Sequence, residues 1–117
     1  MTGYDEYTKN KMCDGEKKVT RRLYNPERRP GIPGARHKIK INRTPTVYGE
    51  IDILACYPQR FGDMTEEDAK LEGFDSLQEY KEYFYRVNKY IDDDELVWVM
   101  EFELVWACKE GCIYIEE

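Results

Sequence analysis

The chain has 117 residues, 41% hydrophobic and 36% charged, with a formal net charge of −6. That length suits one domain, residues 1–117, around a modest core, and the hydrophobic content is too high for a disordered tail. It also excludes two settings: no apolar run approaches the ~20 residues of a membrane helix, and a net-acidic protein is a poor non-specific binder of nucleic acid.

The N-terminus MTGYDEYTKN has no signal-peptide character, so the expected location is cytoplasmic. Residues 1–60 carry 13 Lys/Arg against 7 Asp/Glu, and residues 61–117 carry 5 against 17. A basic half folded beside an acidic half can still present one basic face, which permits a phosphate-bearing ligand without demanding one.

In chain order, residues 5–14 read as a helix with Tyr7, Lys11 and Met12 near one face, and Gly15 stops it. A strand starts near Val19. The stretch NPERRPGIPGAR, residues 25–36, has three prolines and two glycines and reads as an irregular surface loop. His37, Ile39 and Ile41 alternate with Arg36, Lys38 and Lys40 in a half-exposed strand. A further strand covers residues 46–57, with Val47, Ile51, Ile53 and Ala55 on one face and Gly49 marking a bulge or bend.

The period then changes. TEEDAKLEG is a short helix capped by Thr65, with acids in its first turn and Gly73 closing it. DSLQEYKEYFYRVN is a longer one, in which Asp75 and Gln78 have capping-box spacing and Leu77, Tyr80, Phe84 and Val87 form an apolar stripe. The acidic cluster Asp92 to Glu95 makes a solvated turn. Leu96, Trp98, Met100, Phe102, Leu104 and Trp106 then alternate without a break, opposite Val97, Val99, Glu101 and Glu103, and this strand must run through the core. Residues 112–115 read as a short returning edge strand. The sum is an α+β fold of about five strands curled into a small β-barrel, with helices at its side or mouth.

Four cysteines, at 13, 56, 108 and 112, are expected as reduced thiols. KEG, between Cys108 and Cys112, has the composition of a hairpin turn that would let the two face each other. They could supply half a zinc site, but His37 is the only histidine and no second pair completes one, so no metal is expected. No other cofactor is expected either.

GEKKVTRRLY, residues 15–24, is too polar for an ordinary strand. Thr20 and Arg22 share one face of a strand beginning at Val19, because the side-chain period is two. Lys17 joins them only if residues 15–18 turn, which Gly15 permits. The spacing G-x-K-x-x-T-x-R thus reads as a helix stop, a turn and a strand aiming polar groups into one cleft.

Gly15, Lys17, Thr20 and Arg22, with GDMTEEDAKLEGFDSLQEY (62–80) and LVWVMEFELV (96–105), resemble the ASCH domain of the PUA-like superfamily. The resemblance runs from about residue 12 to residue 105 and implies a small β-barrel with flanking helices. Most members are inferred to bind RNA or nucleotides beside the G-x-K motif, and many have glutamate where this chain has Thr20. The chain is more similar to small members with threonine there, which are amidohydrolases of N4-acetylcytidine. By that resemblance the catalytic residues are Lys17, Thr20 and Glu72, while Arg22, with Arg21 and Gly15, holds the substrate. The implied partner is a modified nucleoside or RNA.

The chemistry leaves assignments open. Thr20 is a nucleophile only with a base. Lys17 could be that base if burial and the charges of Lys18, Arg21 and Arg22 lower its pKa, or it could stay charged and hold the oxyanion. Glu72 could pass a proton to the leaving amine or orient a water. The rival reading is a non-catalytic RNA-binding module using the same basic cleft. A partner-docking domain using the helix at 75–88 is a third.

Overall fold

The computed structural model describes residues 4–41 and 44–112. Its elements in chain order are α1 (Glu6–Cys13), β1 (Val19–Leu23), β2 (Arg36–Lys40), β3 (Val47–Arg60), a short 3₁₀ turn (Phe61–Asp63), α2 (Glu66–Leu71), α3 (Leu77–Val87) and β4 (Leu96–Cys112). All strand pairs are antiparallel and the sheet order is β1-β4-β3-β2. β4 is central because it is apolar on both sides at its start, and a strand of that kind is stable only with both faces covered. Val97 and Val99 pack with Val19, Phe61, Tyr80 and Phe84 beneath α2 and α3. Trp98, Met100 and Phe102 pack on the other face with Met12, Ile39, Ile51 and Ile53.

The second face is covered by α1 and by the proline-rich loop. That loop is irregular and lies on the surface, as expected, but it is anchored to the core at two points. Gly31 is buried so closely that a Cβ would stand 2.6 Å from Met100 Sδ, and Trp98 Nε1 donates to the Asn25 carbonyl at 2.9 Å. Gly49 does mark a break: the β3–β4 register shifts between Val47 and Gly49, and a Cβ there would sit 2.5 Å from the Trp106 carbonyl oxygen. A further shift between Ile53 and Ala55 puts Cys56, not Ala55, into the buried row.

The expected barrel of about five strands is instead a four-stranded open sheet among the described residues, with β1 and β2 as its edges. Tyr4 makes a single parallel bridge to Ile41 beside β2, donating its N–H to the Lys40 carbonyl at 2.7 Å. KEG is not a hairpin turn. β4 continues through it, and Cys108 to Gly111 bulge opposite Tyr48 alone, because Ala107 pairs with Gly49 and Cys112 with Val47. Cys108 is disulfide-bonded, unlike the reduced thiol expected, while Cys13 and Cys56 are free. Residues 113–115 of the expected edge strand lie outside the described residues. Among the described residues no helix is long and apolar enough to cross a membrane.

Candidate active site

β1 is five residues long and lies at the sheet edge, so side chains from both of its faces can reach around that edge to one place. Two helix ends are delivered to the same place. α1 stops at Gly15 (φ +78°), whose N–H bonds the Met12 carbonyl while Glu16 N–H bonds that of Lys11. α2 stops in the same way at Gly73 (φ +92°), with Gly73 N–H on Lys70 and Phe74 N–H on Ala69. This paired closure is the Schellman motif, which needs a left-handed residue at its centre. It brings Lys17 up two residues after the first stop and fixes Glu72 just before the second.

The result is a cavity of about 300 Å³ whose lining includes Lys17, Thr20, Arg21, Arg22 and Glu72. Lys17, Thr20, Arg21 and Glu72 are 7%, 1%, 4% and 1% exposed, so their charges meet with little water between them. Lys17 Nζ donates to Glu72 Oε1. Arg21 Nη1 donates to Glu72 Oε2 at 2.8 Å, and its Nε and Nη2 donate to Gln59 Oε1 at 3.2 and 3.1 Å. Arg22 Nη1 donates to Thr20 Oγ1 at 3.0 Å, and its guanidinium lies 5.2 Å from the Tyr4 ring centre. Burial pushes the Lys17 ammonium below the ordinary lysine value of 10.5, Glu72 pulls it back up, and Arg22 and Arg21 push it down again.

All the candidate residues except Gly15 line this cavity; Gly15 contributes the turn that delivers Lys17. Arg21 is buried and its donors are taken by Glu72 and Gln59, so it holds the carboxylate in place. Lys18 is exposed and points away, while its backbone N–H ties β1 to α2 through the Leu71 carbonyl at 2.7 Å. Tyr24, Tyr48, Tyr57 and Trp98, aromatic residues that could stack on a base, do not line the cavity.

Its aromatic wall is Tyr4, Tyr80, Tyr83 and Phe84, none of which the sequence singled out for a site. Tyr83 donates to Asp5 Oδ2 at 2.8 Å and lies 3.0 Å from Thr8 Oγ1, so the rim is joined to the start of α1. One signal was available. The α3 stripe carries a phenol at Tyr80, with Tyr83 beside it, and a tyrosine on a buried face brings a hydroxyl that needs a partner. Among the described residues no group of three or more His, Cys, Asp and Glu is placed to hold a metal ion.

Fold and cavity together define a small α+β domain with a charged pocket at the edge of an open antiparallel sheet. The family model of the ASCH domain matches residues 3–106, and the chain belongs to that family. Solved structures with the same fold include an ASCH domain from Lactobacillus crispatus JV V101, at TM-score 0.72 and 20% identity over 88% of this chain and 76% of that one. Protein EF3133 of Enterococcus faecalis V583 is similar at TM-score 0.66 and 15% identity, over 95% and 75%. ASCH from Zymomonas mobilis is similar at TM-score 0.66 and 18% identity, over 91% and 67%. At these identities the likeness is one of fold. No curated protein matches the sequence.

Proposed function

We propose that this protein is an amidohydrolase that removes an acyl group, acetyl in the simplest case, from N4 of a cytidine bound in the 300 Å³ cavity. The observation that carries this reading is the convergence of an amine, an alcohol, two guanidiniums and a carboxylate from β1, its leading turn and the end of α2.

In the proposed reaction Thr20 Oγ1 attacks the acyl carbonyl and its proton passes to neutral Lys17. The Arg22 guanidinium, already beside Thr20 Oγ1, stabilises the oxyanion that forms on the carbonyl oxygen. Collapse breaks the C–N bond, and the N4 amine leaves with the proton that Lys17 returns. Water then cleaves the threonine ester to give the carboxylic acid and restore the hydroxyl. Glu72 and Arg21 act as a compensated pair around Lys17. Shedding the lysine proton then leaves the buried trio neutral, which is the direction desolvation favours.

The test is incubation of the pure protein with N4-acetylcytidine, followed by assay for cytidine and acetate. Turnover is expected, and Lys17→Met should lower it by roughly 10²–10⁴-fold, the usual contribution of a general base. Undiminished turnover by Thr20→Ala would remove the nucleophile from the scheme. One observation favours the second reading, a binding module without chemistry: no hydrogen bond joins Lys17 to Thr20 among the described residues. In that case no cytidine is released, and RNA affinity falls steeply as salt rises.

A further inference from the structure

A second cavity, of about 490 Å³, opens beside the first and shares Tyr4 and Arg22 with it as walls. Its other lining residues include Arg28, Arg29 and His37, and among the described residues no carboxylate lines it. Arg21, Arg36 and Arg60 each meet an acid elsewhere in this net-acidic chain. Arg22, Arg28 and Arg29 do not: among the described residues none of them forms an ion pair. Arg22 donates to Thr20 and the Arg21 carbonyl, and Arg29 Nη2 to the Cys56 carbonyl at 2.7 Å, so among the described residues the acceptors of both are neutral. Among the described residues the Arg28 side chain makes no hydrogen bond, while its backbone N–H is fixed by the Asn25 carbonyl at 3.0 Å. Glu27, the nearest acid in sequence, does not line the cavity.

Guanidiniums gathered without counter-charge around a concave surface are a site for an oxyanion, and their planar donor forks match phosphate oxygens. The carriers are held as well as charged. Trp98 pins Asn25, Arg29 is tied to β3, and Gly31 is wedged against Met100, so the loop is folded onto the core.

We infer that this groove binds the phosphate of the substrate, so that the preferred substrate is a phosphorylated cytidine rather than a free nucleoside. The inference rests on the cytosine occupying the first cavity. The common wall of Tyr4 and Arg22 then lies between base and phosphate, where the ribose would cross. The phosphate is that of a mononucleotide or of an RNA chain.

The experiment has two arms. Binding of cytidine and of cytidine monophosphate to Thr20→Ala is measured by calorimetry, and kcat/KM of the unaltered protein is measured on N4-acetylcytidine, its monophosphate and a short oligoribonucleotide carrying it. The phosphorylated ligand is expected to be favoured about tenfold or more in both arms, the gain of one charge-assisted hydrogen bond. That ratio should fall toward one in Arg28→Gln, an exposed loop substitution that leaves the fold in place. Parity between cytidine and its monophosphate in binding, or equal turnover with and without phosphate, overturns the groove while leaving the amidohydrolase standing. An Arg28-dependent preference for the monophosphate with no hydrolysis supports the groove and removes the amidohydrolase. Within a supporting result, an oligoribonucleotide better than the mononucleotide identifies RNA as the source, and the reverse identifies free nucleotide.

Discussion

Lys17, Glu72 and Arg21 form a buried row of two cations around one carboxylate, and each neighbour of Lys17 moves its proton affinity in a known direction. A base must be neutral to act, so kcat/KM on N4-acetylcytidine should rise with pH through a Lys17 pKa lying below 10.5. Arg22→Gln removes a repelling charge while keeping a donor for Thr20, so Lys17 holds its proton longer and the rise moves to higher pH. Glu72→Gln removes the attracting charge, so the rise moves to lower pH. It also strands the buried Lys17 and leaves Arg21 with only the more distant Asp68 at 3.7 Å, and should cost about 3–5 kcal/mol of stability in urea unfolding. Movement of both profiles in the same direction would refute Lys17 as the titrating base. The part of this row within G-x-K-x-x-T-x-R was legible because turn and strand parity are local. Glu72, 55 residues from Lys17, came only from the resemblance. Arg21 was expected against substrate, and its pairing with Glu72 depends on β1 being an edge, which local pattern does not disclose.

At the scale of elements the site depends on two helix stops of one design. Gly73 adopts φ +92°, and a Cβ there would lie 2.9 Å from Lys11 Cδ, the side chain whose ammonium donates to the Gly73 carbonyl. Gly73→Ala should therefore lose about 1–2 kcal/mol from left-handed strain, since the lysine chain can bend away from the new methyl. Because Glu72 is the residue before that turn, kcat/KM should fall along with the thermal midpoint. A lowered midpoint with unchanged kcat/KM would mean that the stop does not position the carboxylate. Gly15, Gly73 and the Thr65 cap were legible because helix ends are set by neighbours a few residues away; Thr65 and Asp68 form a reciprocal capping box. The start of α3 slipped by one residue: Ser76, not Asp75, accepts the Glu79 N–H at 3.1 Å. KEG misled more seriously. Its composition suits a turn, yet long-range pairing with β3 absorbs it as a bulge.

For the whole molecule, α+β was written in the change of period at residue 65, but closure was not. Whether a curled sheet closes depends on its two edges meeting, and among the described residues only the Tyr4 bridge adds to β2. Phenols that are buried (Tyr4, Tyr80), half-buried (Tyr83, Tyr85) or bonded to an acid at the surface (Tyr57) give the fold an alkaline limit. Burial raises Tyr4, Tyr80 and Tyr85 above the ordinary 10.0 and pushes Tyr57 and Tyr83 up to about 12, with Glu101 and Asp5 adding to the last two. In the unfolded chain these hydroxyls ionise near 10, whereas the folded chain keeps their protons longer. The folded state therefore binds more protons above pH 10, and the stability these groups contribute is intact below that value and lost as pH climbs toward 12. Lys17 works the other way. Its folded value lies below 10.5, so its burial penalty shrinks with rising pH and vanishes there. Five phenols oppose one amine, and above 10.5 the amine contributes nothing further. The urea midpoint should hold or rise slightly up to about pH 10 and then fall steadily. Tyrosinate absorbance of the folded protein should lag behind that of the denatured chain over the same interval. A midpoint still flat at pH 12 would show that these rings ionise in place without cost to the fold.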